Sequence, residues 1–316
     1  MSHAGLIHPG GPVSISLARI GNALTTTERA HMLGYSLSRN PYLRAIWQTR
    51  RGRKLVFTEF NIEFSPRWNG PLGNPHLAPL IASHRNTYIS ILGEIASCEP
   101  IIGQVLDGSL GRTINWRNGF IPALDGLSIM WAALQAGETF MEVGSGTSTL
   151  FARSALAAEQ RSTKLVSIDP MPRVEVDAAC DEIYRSPLEK MDLSVFDRLR
   201  SGDVLFVDNS HQSFMNSDVT TFMLDVVPRL ASGVLIGIHD IFLPYDYPAH
   251  WSDRCYNEQY LLACYLLSNP DFFDIKLANN WISRQQLHHD LLARIWGVLG
   301  EDIRNRHSSA FWVVKE

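Results

Sequence analysis

Phe140-Met141-Glu142-Val143-Gly144-Ser145-Gly146-Thr147-Ser148-Thr149 is the stretch on which the fold turns. An apolar, strand-like run ends in Glu142-Val143 and breaks at once into two glycines one residue apart. Residues 150–158 then read as a helix. Glycine lets a backbone turn tightly and approach a ligand with no Cβ in the way. The first turn of a helix offers unpaired N–H groups to a polar or anionic group. The run is therefore read as a nucleotide-type pocket at a first βα junction. It departs from the dinucleotide fingerprint G-x-G-x-x-G, because Thr149 stands where the third glycine belongs.

Outward from this run the alternation repeats. Residues 164–168 read as a second strand ending at Asp169-Pro170, and 203–207 as another ending at Asp208. Residues 218–230 have a helical pattern, and 233–238 make a strand ending at His239-Asp240. Two further strands are expected at 272–277 and 309–314, with a helical segment at 285–299 between them. Short apolar strands separated by helices imply parallel pairing with helices on both faces, an α/β doubly wound, Rossmann-like sheet. Polar residues gather at the carboxyl ends of the strands, where open α/β sheets place their ligands. Before the run, 87–96 and 124–135 read as helices, while Gly, Pro, Asn and Arg are scattered through 1–83.

Bulk properties set bounds. A chain of 316 residues, 45% hydrophobic, suits one large domain or a domain with an appendage. A net charge of −4 and the lack of a basic stripe argue against nucleic acid as a partner. The densest basic cluster, Arg50-Arg51-Gly52-Arg53-Lys54, reads as a solvated turn. Cys98, Cys180, Cys255 and Cys264 are too scattered for a zinc framework or a disulfide scaffold. No secretory signal is visible at the start, and no apolar run reaches about 18 residues. A cytoplasmic protein without a membrane span is expected.

Glu142-Val143-Gly144-Ser145-Gly146 is similar to the E-x-G-x-G motif of class I S-adenosylmethionine-dependent methyltransferases. Three longer segments resemble the type-24 methyltransferase family: 202–211 (Gly202 to His211), 239–248 (His239 to Pro248) and 256–262 (Tyr256 to Leu262). The segment 118–125, Asn118 to Asp125, fits it as well. The likeness covers about residues 115–316. It implies a seven-stranded sheet whose last strand is antiparallel and inserted beside the fifth. It divides the chain into an N-terminal accessory region, 1–114, and a methyltransferase domain, 115–316. The accessory region is expected to form a substrate surface or an oligomer contact, with a homo-oligomer as one arrangement.

The resemblance also implies a site. Glu142, Gly144, Ser145, Gly146, Ser148, Asp169 and Asp208 would hold S-adenosyl-L-methionine, with Asp169 on the ribose hydroxyls. Related catechol-type O-methyltransferases hold a divalent metal on an aspartate after the fourth strand and an Asp-Asn pair after the fifth. By that analogy Asp208, His239 and Asp240 would be metal ligands. His211 stands where those enzymes place a catalytic lysine, so His211, assisted by Asp208, is the expected base. Histidine in place of an oxygen ligand favours a transition metal over Mg²⁺. Equally, His211 can simply cap the following helix, and His239 and Asp240 can pair with each other.

Residues 242–251, rich in Pro and aromatics, read either as a lid over the acceptor or as a rigid connector packed into the core. The helix opened by Glu258 is expected to bury Tyr260, Leu261 and Cys264, with Glu258 and Arg254 as a surface pair. His288-His289-Asp290 reads as a solvated helix face. The expected function is O-methylation of a small-molecule or glycan acceptor: a sugar, a glycan or a secondary metabolite. The alternatives are a non-catalytic S-adenosylmethionine-binding module and an NAD-type oxidoreductase.

Overall fold

The computed structural model describes Glu59 and residues 62–108, 110, 114–172, 174–304 and 307–316. The basic cluster at 50–54 lies outside these residues, as does most of 1–63. The chain divides into two compact units, Met1–Glu63 and Phe64–Glu316. Residues 64–114, which the sequence reading grouped with the accessory region, belong to the same unit as the sheet.

Seven strands form that sheet: β1 Thr139–Val143, β2 Lys164–Ile168, β3 Glu182–Tyr184, β4 Val204–Val207, β5 Leu235–Ile238, β6 Phe273–Ala278 and β7 Phe311–Lys315. Their order is β3-β2-β1-β4-β5-β7-β6. β1 pairs in parallel with β2 and β4, β2 with β3, and β4 with β5. β7 is antiparallel to both of its neighbours, β5 and β6. Every residue of β1, β4 and β5 is buried, as expected of central strands covered on both faces. Val143 pairs with Ile168 and Val207, and Val207 with Ile238. The carboxyl ends of β2, β1, β4 and β5 are thus level, and the loops that leave them share one rim.

One interstrand contact is unusually close. Gly237 lies opposite Trp312, and a Cβ on Gly237 would sit 2.5 Å from the indole ring. The same ring stacks on Phe206, and its Nε1 donates to Ser128 Oγ of helix Ala123–Gln135 at 3.0 Å. Helix Arg85–Ala96 buries Tyr88, Ile91, Leu92 and Ile95 in the same core. Its Glu94 accepts from Trp131 Nε1 at 2.8 Å, and Tyr88 meets Trp281 edge-on.

Two helical expectations are broken up by tertiary contacts. The 218–230 segment is α-helical over Asp218–Thr221, π-helical over Phe222–Val226 and 3₁₀ over Val227–Arg229. Tyr265 Oη donates to the Met223 carbonyl at 2.7 Å, and Pro228 has no N–H to give. The 285–299 segment is divided into His288–Leu291 and Ala293–Leu299, preceded by a third short helix, Asn279–Arg284. Among the described residues no single helix is long and apolar enough to cross a membrane, and the four cysteines are unpaired.

Candidate active site

The loop after β1 is threaded between its neighbours. Gly144 adopts φ +81°, and its N–H donates to the Ile168 carbonyl at the end of β2, 2.9 Å away. A Cβ on Gly144 would lie 1.9 Å from the Asp208 carbonyl oxygen. Only glycine fits this backbone at this approach. Asp169 then ties the loop down: Ser145 N–H donates to its Oδ2 and Met171 N–H to its Oδ1, each at 2.7 Å. Gly146 N–H donates to Thr149 Oγ1, and that hydroxyl donates to Glu142 Oε2. Glu142 is fully buried, and its Oε1 has no partner. Burial pushes its carboxyl up to about 8, against hydrogen bonds from Ser148 and Thr149.

A pocket of about 280 Å³ opens above this loop. That is near the lower end of the roughly 300–1,000 Å³ spanned by small-molecule sites. Gly144, Ser145, Gly146, Ser148, Asp169 and Asp208 all line it, and Phe120 and Met171 stand at its mouth. Six of the seven residues expected to hold a cofactor therefore face one cavity. Glu142 does not; it lies beneath the loop and braces it through Thr149. Asp169 faces the pocket while already accepting two N–H bonds, and carboxylate oxygens have capacity for more. The cavity's glycine floor and acidic wall suit a ligand with a nucleoside end.

Beside the pocket, the turns after β4 and β5 bring a second group together. His211 and Asp240 both sit at positive φ, +58° and +55°, in the left-handed region that non-glycine residues enter at a cost. His211 Nε2 lies 3.1 Å from Asp208 Oδ1 and 3.5 Å from Asp240 Oδ2. Its Nδ1 lies 2.9 Å from Glu258 Oε2. Asn209 Nδ2 holds the other oxygen of Glu258 at 2.9 Å, and Asn257 N–H donates to the His211 carbonyl. His239 Nδ1 is 3.5 Å from Asp208 Oδ1 and 3.5 Å from Asp240 Oδ1. Its Nε2 is 3.4 Å from Asp125 Oδ2. Neither nitrogen of His239 makes a hydrogen bond.

The electrostatics follow from this packing. Burial alone would lower both histidines, but the facing carboxylates outweigh it: Asp208 and Glu258 raise His211 well above its usual range, and Asp240 and Asp208 raise His239. Burial would raise Asp208, yet the two imidazoles hold it well below the usual carboxylate range. The base expected from sequence is thus enclosed: His211 is 3% exposed, and Asp208 is the member of the pair that reaches the pocket. The metal trio read from sequence was Asp208, His239 and Asp240. The ligand atoms that converge within 4.8 Å of one another are those of Asp208, His211 and Asp240, with His239 flanking them.

Several polar residues take places the sequence hid. Glu258, expected on the surface with Arg254, is fully buried against His211. Helix Glu258–Ser268 buries Glu258, Gln259, Leu262, Ala263 and Leu266, whereas Tyr260 and Cys264 are exposed. The stripe is shifted because the helix turns its first residues, not its tyrosine, toward the cluster. Asp125 was not expected in the site; it accepts from Asn279 Nδ2 and from the N–H groups of Ser309 and Ala310. His288 is buried, its Nε2 against the Arg304 carbonyl, so it is not part of a solvated face. In 242–251, Phe242, Tyr245 and Tyr247 are buried, and Trp251 packs edge-on against Phe242 and Tyr256. Tyr256 in turn covers the His211 ring, with centroids 4.7 Å apart.

Residues 141–241 match a family model described as a methyltransferase domain, of type 24. A search of the curated proteins finds no match. Among solved structures, the chain is similar to the methyltransferase PaMTH1 of Podospora anserina bound to S-adenosylhomocysteine. Identity there is 17%, covering 61% of this chain and 88% of that one, with a TM-score of 0.35. It is also similar to the plantazolicin methyltransferase BpumL with S-adenosylhomocysteine, at 11% identity, 75% and 99% coverage and a TM-score of 0.36. Phosphoethanolamine N-methyltransferase 2 of Haemonchus contortus matches at 12% identity, 68% and 58% coverage and a TM-score of 0.36. The family match identifies residues 141–241 as a methyltransferase domain of type 24, set in a sheet of order β3-β2-β1-β4-β5-β7-β6.

Proposed function

We propose that this chain transfers a methyl group from S-adenosylmethionine to a hydroxyl oxygen of a small acceptor, such as a sugar, a glycan or a secondary metabolite. The observation that carries the reading is the shared wall: Asp208 lines the pocket formed by the glycine loop and Asp169, and also belongs to the cluster with His211. When bound, the cofactor supplies an activated methyl, so the protein's work is binding, orientation and proton removal. Asp169 and the loop 144–148 that lines the pocket would hold the donor. The acceptor hydroxyl is set against Asp208. Transfer of the methyl to that oxygen would break its bond to sulfur and release S-adenosylhomocysteine, and the hydroxyl's proton would pass to the Asp208 carboxylate, weakly basic though it is. His211, behind Asp208, fixes the carboxylate's orientation and charge.

Calorimetric titration with S-adenosylmethionine and with NAD, followed by mass spectrometry of acceptor libraries, tests this. Saturable binding of the sulfonium compound alone, and an acceptor gaining one methyl on oxygen, are the expected results. Gly144→Ala should abolish binding, since its Cβ meets the Asp208 carbonyl at 1.9 Å. Binding of NAD in preference, or a methyl found only on nitrogen or carbon, would overturn the reading.

A further inference from the structure

We propose that Asp208, His211 and Asp240 form a site for one divalent transition-metal ion, with His211 bound through Nε2 and Glu258 as the positioning residue that aims it. The first argument is spacing. Ligands about 2.1 Å from one ion stand roughly 3.0–3.4 Å apart at octahedral to tetrahedral angles. His211 Nε2 is 3.1 Å from Asp208 Oδ1 and 3.5 Å from Asp240 Oδ2. The three ligand atoms lie within 4.8 Å of one another.

The second argument is the far side of the ring. A metal-bound histidine donates its other N–H to a carboxylate or carbonyl, which fixes the tautomer. Glu258 Oε2 stands 2.9 Å from His211 Nδ1, and Glu258 is itself buried and held by Asn209. Nδ1 is thereby committed as the donor to Glu258, and Nε2, which faces the two aspartates, is the nitrogen left to exchange its proton for an ion.

The third argument is the flanking histidine. His239, 3% exposed, has no hydrogen bond at either nitrogen, yet its Nδ1 is aimed between Asp208 and Asp240 at 3.5 Å from each. Four carboxylates, those of Asp125, Asp208, Asp240 and Glu258, surround two imidazoles. Each imidazole thus faces more than one carboxylate, an arrangement that a bound cation would stabilise. The mixed nitrogen and oxygen donors favour Mn²⁺, Fe²⁺, Co²⁺ or Zn²⁺ over Mg²⁺. Such an ion, when bound, would polarise an acceptor oxygen beside Asp208.

The test is binding, measured without S-adenosylmethionine, so its failure leaves the methyl-transfer reading intact and the reverse also holds. The 316-residue chain, stripped with chelator, is titrated with Co²⁺ and followed by calorimetry and by its visible absorption. One ion per chain is expected. Asp240→Asn and His211→Ala should each weaken binding more than about 100-fold, and Glu258→Gln by about 10- to 100-fold. Because Glu258→Gln can disturb folding, the second measurement uses the unaltered chain: ¹⁵N imidazole spectra during a Zn²⁺ titration. His211 Nε2 should shift while Nδ1 keeps its proton. Absence of saturable Co²⁺ binding, unchanged affinity in a folded Glu258→Gln, or a Zn²⁺-induced shift at His239 in place of His211 would each refute the assignment.

Discussion

At the scale of single residues, Glu142 shows how a motif position can act from below the site. It lines no part of the pocket; it holds Thr149, which in turn receives the Gly146 N–H. Burial raises its carboxyl from an ordinary 4.5 to about 8, so the protonated form is the one the fold favours. A carboxyl raised in this way stabilises the fold fully below pH 4.5, and that contribution is lost as the pH climbs through 8. Glu142→Gln keeps the neutral shape and removes the titration. Measured against this variant by urea unfolding at a series of pH values, the unaltered protein should lose on the order of 3–5 kcal/mol across that window. Equal slopes for the two proteins would show that Glu142 does not titrate there.

At the scale of elements, the legible parts were those whose cause is local. β1, β2, β4 and β5 announce themselves by continuous apolar runs, and the Gly144-Ser145-Gly146 turn by its composition. β3 was missed because Glu182-Ile183-Tyr184 is three residues long, polar at its start and paired on one side only. The cofactor loop was readable because its members are neighbours in the chain. Glu258 was not, since its meaning comes from His211, 47 positions away. The π-helical stretch at Phe222–Val226 has the same kind of origin in the Tyr265 hydroxyl. Tyr265→Phe should release the Met223 carbonyl and cost about 1 kcal/mol in denaturant unfolding. Hydrogen exchange of 222–229 should quicken with it; a variant with unchanged exchange would mean the hydroxyl does not hold this turn.

At the scale of the molecule, helices before the glycine run are built into the sheet's core. Tyr88, Leu92 and Ile95 are fully buried, and Trp131 is anchored by Glu94. A chain beginning at residue 64 should therefore unfold cooperatively, because 64–316 is one compact unit. A chain beginning at 115 strips that face from helix Ala123–Gln135 and β6, and should aggregate or bind a hydrophobic dye. Matching thermal transitions for the two would show that the boundary at 114 divides independent folding units after all.

The placement of β7 carries one more consequence. β5 and β6 are separated in the sheet by a strand made later than either. During vectorial synthesis, β5 therefore waits with an unpaired, wholly apolar edge, Leu235–Ile238, until β7 leaves the ribosome. The same late segment delivers the Ser309 and Ala310 N–H groups to Asp125 and the Ser309 hydroxyl to Asp240. The nascent polypeptide thus passes through a sticky, inactive stage, and closing the sheet and setting the acidic cluster are one and the same late event.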